Sequence, residues 1–326
     1  MTREEIVAGA YDAIQNGSKS FRAASRLFDR DTREKAWLLY CWCRHCDDVC
    51  DGQSYGFGRG VRGSVTLLRG KTRQAIAGEQ MTELPFQALS LLLKECPIPE
   101  RFLEDHLRGF ALDEAGWQPV TEEDLALYCY YVAGAVGSMM AILMGVSPDD
   151  EETLDHAASL GIAFQLSNIA RDIREDLEAG RCYLPLNWMA EFGVTRETLF
   201  DPKSDFALTA IVNRLIDGVK VYEESARLGV DKLPFRSRLA VLSALRIYGA
   251  IGRRVRSLGT AAWDERVTVG KMQKLAYVVP SLAEAVTGHH RSRQARDRSR
   301  TVDPRSGSRA RNCSGAFRGA AGGGLR

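Results

Sequence analysis

Apolar residues in this chain recur at intervals of three and four almost from end to end, and strict alternation over the length of a strand is scarce. That period belongs to helices that turn one stripe inward, so the expected fold class is all-α. Asp31-x-x-Glu34 reads as a capping box opening a helix that runs to about Asp51. A glycine-rich loop follows from Gly52 to Gly63, then helical stretches near 64–78 and 84–95. The CPIPE run of 96–100 interrupts the pattern before another helix, and helices resume near 122–146 and 150–179, where Gly180 stops the last. Further helices fit 205–228, 236–257 and 270–286. No repeat and no Pro/Gly linker divides 1–288, which reads as one domain with enough chain for a substantial core.

The formal net charge of +2 conceals two unlike parts. From Arg291 onward there are ten Arg, no Lys and two acids, a net of +8, whereas 34 basic and 40 acidic residues precede it, a net of −6. Residues 289–326 are Arg-, Ser- and Gly-rich with almost nothing apolar, and are expected to be a disordered tail attracted to anionic lipid. No nucleic-acid partner is expected.

The start, MTREEIVAGAYDAIQ, shows no apolar signal segment. Leu125 to Pro148 carries no charge and is long enough to cross a bilayer, but its glycines and its place between two acidic motifs mark it as a core helix. Four of the eight cysteines (Cys41, Cys43, Cys46, Cys50) crowd one helical segment. No second knuckle completes a zinc site, so they read as reduced thiols on a buried helix, and the expected location is the cytoplasm. Gly58-x-Gly60-x-x-Gly63 matches a dinucleotide fingerprint formally, yet a helix precedes it and no βαβ pattern surrounds it, so no nicotinamide is expected.

Two segments repeat one chemical idea. In CRHCDDVCD, Asp47 and Asp51 are four apart on a helix, with Asp48 beside them and Arg44 one turn back from Asp48. In QLSNIARDIREDLEAGR, Asp172 and Asp176 are again four apart, and Gln165 and Asn168 continue the same polar stripe. One such pair is more often a solvated face. Two on apolar helices repel within each pair and call for compensation, which a hard divalent cation supplies. Magnesium, with manganese as its substitute, is held by one or two carboxylates plus substrate phosphate oxygens. Arg44, Arg171 and Arg181 lie near in sequence to neutralise a diphosphate. The implied substrate is a polyphosphate that ionises. Tyr128 and Tyr248 offer π faces suited to a cation, while ordinary core packing accounts for each equally well, and the small residues Ala133, Gly134 and Gly137 would leave room for a long chain.

The runs YCWCRHCDDVCD, YCYYVAGAVG and AFQLSNIARDIREDLEAGRCYLP resemble the signatures of the squalene and phytoene synthase family, in order and spacing, over about Ser18 to Tyr248. The resemblance implies a single-domain helical bundle around a central cavity and two prenyl diphosphate substrates. It assigns metal binding to Asp47, Asp51, Asp172 and Asp176, with Asn168 as a further ligand. It assigns diphosphate binding to Arg44, Arg171, Gln165 and the Ser18–Phe21 segment, Ser20 included. Asp47, Asp51, Asp172, Asp176 and Tyr248 are thus the expected catalytic residues, and Ser20, Arg44, Tyr128, Gln165 and Arg171 the expected substrate-binding ones. RHCDDV and GRCYLP are most similar to bacterial members that join two geranylgeranyl diphosphates into phytoene through a cyclopropyl diphosphate. The alternative is squalene or dehydrosqualene formation from farnesyl diphosphate. A head-to-tail prenyl transferase shares the aspartates but not the GRCYLP continuation. A non-catalytic helical protein at a membrane surface would explain the basic tail and leave the paired acids unexplained. Peripheral membrane contact is expected of a protein with so apolar a product, and the sequence says nothing of its oligomeric state.

Overall fold

The Thr2 hydroxyl caps the first helix by accepting from the Glu5 amide while the Thr2 amide donates to the Glu5 carboxylate, and Ile6, Val7, Ala10, Ala13 and Ile14 then fall on one buried face. Similar local rules set most later boundaries in this computed structural model, which describes residues 1–52 and 63–287 apart from the side chains of Lys19, Ser20 and Lys271. Among those residues the elements are helices, with no strand. They are α1 (Arg3–Gly17), α2 (Lys19–Ser25), α3 (Arg30–Asp51), α4 (Val65–Ile76), α5 (Leu84–Glu95), α6 (Glu100–Glu114) and α7 (Glu122–Cys129). After a wide π-turn over Tyr130–Gly134 come α8 (Ala135–Leu143), α9 (Glu151–Glu178), α10 (Leu186–Glu191), α11 (Asp205–Val230), α12 (Phe235–Leu258) and α13 (Lys271–Thr287). The sequence pattern misses α1, α2 and the six-residue α10, and places the longer helices within a few residues. Residues 289–326, and Gly58 and Gly60 of the glycine fingerprint, lie outside the described residues.

The expected capping box at Asp31 and Glu34 does not form. Asp29 caps α3 instead, accepting from the Thr32 amide at 3.0 Å and the Thr32 hydroxyl at 2.9 Å. Glu34 is drawn away by Arg3 and Arg30, each at 2.8 Å, and ties α1 to α3.

Two apolar cores flank the centre of the chain. One gathers α1, α3, α4, α5, α6 and α8 around Trp42, Phe86, Leu103 and Met139. The other gathers α9, α10, α11 and α12 around Ile169, Ile211, Leu215 and Trp188. Burying each such side chain stabilises the fold by about 1.5–3 kcal/mol. The cores meet where α8 and the π-turn lie on α9. A Cβ added to Gly161 would run into the Ala133 carbonyl, and one added to Gly137 into the Ala157 carbonyl. Gly137 and Gly161 therefore each admit the backbone of the facing helix. The stretch Glu122–Leu143 is long and apolar enough to cross a membrane, but 61% of its apolar window is buried against other helices.

Candidate active site

The last two turns of α3 carry the first acidic motif. Arg44, one turn back, pairs with Asp47 and lies 3.7 Å from Asp48. Arg44 also sits over the Tyr40 ring at 6.0 Å, and Phe21 stacks on the same ring at 5.5 Å, which brings the Ser18–Phe21 segment beside the motif. The Asp47 side chain is 39% exposed, yet desolvation by the surrounding helix ends pushes its carboxyl up to about 6. Arg44 opposes that shift, and the charges of Asp51 and Asp48 add to it. Cys41, Cys43, Cys46 and Cys50 are free thiols interleaved with these acids. Burial pushes Cys41 and Cys50 up to about 12, which keeps them protonated.

The second motif sits on α9, which is not straight. Asp172 leaves helical geometry, at φ −101° and ψ 15°. The Trp263 indole donates to the Ala170 carbonyl at 3.2 Å, taking an acceptor that a straight helix would present to residue 174. The kink thus divides the polar stripe read from the sequence. Gln165 and Asn168 lie before it, Asp172 lies at it, and Asp176 follows. Asp172 is held by Arg171, Nε to Oδ1 2.7 Å, and by Arg266, Nη2 to Oδ2 3.1 Å.

The end of α9 is a Schellman motif. Gly180, at φ 79°, sends its amide to the Leu177 carbonyl at 2.9 Å, and the Arg181 amide reaches the Asp176 carbonyl at 2.8 Å. That turn aims Arg181 back across the site. Its Nη1 is 2.6 Å from Asp51 Oδ1 and its Nη2 is 3.9 Å from Asp176 Oδ1. One guanidinium therefore joins both acidic motifs. Burial pushes the Asp176 carboxyl up to about 7, against the pull of Arg181, with Asp172 and Asp113 adding to the rise. A narrow crevice lies beside this pair, lined by Ile169, Ile173, Leu177, Tyr183 and Leu184 among others.

Asp113, in the last turn of α6, completes the arrangement. It accepts from the Tyr128 hydroxyl at 3.0 Å and the Tyr183 hydroxyl at 2.8 Å. Burial pushes it up to about 6, while the two hydroxyls hold it down. The Tyr128 ring stacks on both Trp117 (5.7 Å) and Tyr183 (4.8 Å). Its faces are thus occupied by neighbours, contrary to the expectation that they meet substrate, and only its hydroxyl turns toward the site through Asp113. Tyr248, on α12, stacks on Phe164 of α9 at 4.0 Å, and Arg171 is close enough to oppose the rise that burial imposes on its hydroxyl.

The family model for squalene/phytoene synthase matches residues 14–273, a span that contains every one of these groups. This chain belongs to the squalene/phytoene synthase family. It is 45% identical over 296 residues to the 15-cis-phytoene synthase of Enterobacter agglomerans, covering 89% of this chain and 98% of that protein. It is 41% identical over 302 residues to the enzyme of the same name from Pantoea ananas, covering 91% and 97%. Among solved structures, a dehydrosqualene synthase in complex with ligand superposes with a TM-score of 0.77 at 27% identity, covering 86% of this chain and 96% of that one.

The structure brings together Arg44, Asp47, Asp51, Arg171, Asp172 and Asp176. It puts Tyr248 against the same helix, and leaves the Ser20 side chain outside the described residues. Sequence reasoning missed Asp113, Tyr183 and Arg266. Only YLP and a helix-end acid mark the first two, and nothing local marks Arg266. No three His, Cys, Asp or Glu groups among the described residues converge on one point as a ready-made metal cage. The donor set is nonetheless oxygen-only and paired, which suits a hard cation that brings phosphate oxygens with it. Arg44 Nε and Arg181 Nε are buried with no hydrogen-bond partner among the described residues, so each has a donor to spare for such oxygens.

Proposed function

We propose that this enzyme joins two geranylgeranyl diphosphates head to head, forming phytoene through a cyclopropyl (prephytoene) diphosphate and releasing pyrophosphate. Relatives at 38–45% identity over most of the chain, all bacterial and named phytoene synthase, carry this reading over a farnesyl-using squalene or dehydrosqualene synthase. Residues 1–288 would form the catalytic domain and 289–326 a basic extension of it.

Asp47, Asp51, Asp172 and Asp176, with Asn168, would hold magnesium or manganese, which supplies charge neutralisation to a departing pyrophosphate. Arg44, Arg171 and Arg181 exchange carboxylate partners for phosphate oxygens as substrate binds, and Gln165 and Ser20 complete the cradle. That exchange explains why each acid is held by an arginine in the absence of substrate: the pair keeps both partners charged and placed. Tyr248, stacked on Phe164, presents a non-basic π surface to carbocations, which it steadies without removing a proton. Asp113 positions Tyr128 and Tyr183 beneath the acids and keeps the floor of the site dry. We place the enzyme in the cytoplasm, in peripheral contact with a membrane that receives its hydrocarbon product.

Incubating the purified protein with geranylgeranyl diphosphate and magnesium, without any nicotinamide, should yield phytoene. Squalene as the dominant product from farnesyl diphosphate and NADPH would instead establish the alternative.

A further inference from the structure

The last described helix is built inside out. The face of α13 that meets the rest of the protein carries Ser281 and Ala285, both buried, with Lys274, Tyr277 and Val278 partly covered. The opposite face carries its large aliphatic residues: Met272 is 77% exposed, Leu275 63%, Val279 69%, Leu282 44% and Val286 65%. Their spacing of three, four, three and four puts all five within an arc of roughly 80° on a 3.6-residue helix. Among the positions of this helix whose exposure is described, 272–287, no charged residue is exposed, and the exposed polar ones are Gln273 and Thr287. A solvent-facing helix ordinarily shows the reverse pattern. A contiguous exposed apolar stripe of this length marks a surface that something covers.

Charge says what covers it. α12, the helix against which α13 packs, contains six Arg and no acid, and α13 adds Lys271 and Lys274 against Glu284 alone. Glu284 is spent on Arg227 at 2.5 Å and Arg246 at 2.6 Å, which fixes α13 to its neighbours. Arg238 also donates to the Ala285 carbonyl at 3.1 Å. Arg253 and Arg256 are paired with Glu223 and Asp217 of α11, yet α11, α12 and α13 together still carry eleven basic against five acidic residues, in a body that is net acidic before Arg291. A second copy docked through this stripe would set two basic helix pairs side by side. An anionic bilayer meets the same surface with opposite charge and an apolar interior.

We infer that the outer face of α13 is a lipid-seating surface, lying in the plane of an anionic membrane with its five aliphatic residues in the acyl boundary and the net positive charge of the surrounding helices drawing it to the headgroups. The inference deepens the proposed membrane contact, but its evidence is independent of the reaction catalysed.

The test uses the full chain and the triple variant Leu275→Ser, Val279→Ser, Leu282→Ser, whose exposed positions leave the fold unchanged by circular dichroism. Both are sedimented with vesicles of phosphatidylcholine alone and of phosphatidylcholine with phosphatidylglycerol, at low and high salt. The parent should bind the anionic vesicles, lose binding as salt rises, and bind at least tenfold more tightly than the variant. Turnover on detergent-dispersed geranylgeranyl diphosphate should be equal for the two, so a failed activity assay speaks against the reaction and leaves the surface standing. Equal vesicle binding by parent and variant overturns the inference. So does equal parental binding to neutral and anionic vesicles, or a concentration-dependent dimer in solution that the triple variant abolishes, which would make a second copy the occupant.

Discussion

Arg181 Nη1 lies 2.6 Å from Asp51 Oδ1, a bond across 130 residues that fastens the turn after α9 to the end of α3. The same guanidinium is 3.9 Å from Asp176, so the two acidic motifs share one cation. Arg181→Gln should leave the helical content unchanged and lower kcat/KM by about tenfold to a hundredfold, the range set by a charge-assisted hydrogen bond of roughly 1.5–3 kcal/mol. Parental kinetics in that variant would show that the bridge is only a surface tie.

Both carboxylate pairs should be required under the proposed function, in which each motif contributes separately to holding the same diphosphate. Asp47→Asn and Asp172→Asn are each expected to abolish nearly all product formation with no change in circular dichroism. EDTA should do the same to the parent, reversibly on adding magnesium. Wild-type turnover in either variant, or full activity in EDTA, contradicts the assignment.

His106 supplies a pH dependence away from the site. It is buried against Trp42 (5.4 Å) and Phe110 (4.9 Å), its Nδ1 is 3.4 Å from the Tyr131 carbonyl, and burial lowers it to about 4. An unfolded histidine titrates near ~6.5. Between those values the unfolded chain binds more protons, so this residue costs stability as pH falls through the unfolded value and has no effect above about 7. On going from pH 7 to pH 5, the stability of His106→Phe relative to the parent should rise by roughly 2 kcal/mol. Denaturant melts at both pH values measure it, and an unchanged difference would show that His106 is not held neutral.

The seam between α8 and α9 predicts a contrast between two glycines. Gly161→Ala drives a methyl into the Ala133 carbonyl and should destabilise by about 1–3 kcal/mol or more. Gly70→Ala, on an exposed position of α4 with nothing nearby, should stabilise by roughly 0.5–1 kcal/mol. Shifts of the denaturation midpoint in these opposite directions are the expected result, and equal shifts would mean that the close approach does not constrain the helices.

Much of this protein is legible along the chain. The three-four spacing sets its class, Gly180 ends a helix by chemistry that acts within a few residues, and the twin Asp pairs stand out as a repeated acidic motif. These are short-range effects, determined by neighbours in sequence. What only the tertiary structure decided involves partners far apart. Glu34 abandons the cap it could have made because Arg3 arrives from α1. The stripe from Gln165 to Asp176 bends at Asp172 where Trp263 takes the Ala170 carbonyl. Asp113 becomes part of the site only when Tyr128 and Tyr183 close over it. The aliphatic stripe of α13, which in sequence reads as one more core-facing helix, is turned outward because Glu284, held by Arg227 and Arg246, and the Ala285 carbonyl, held by Arg238, bind its other face to the body. A periodic pattern shows that a helix has an apolar side; which way that side points depends on what the remaining charges can reach.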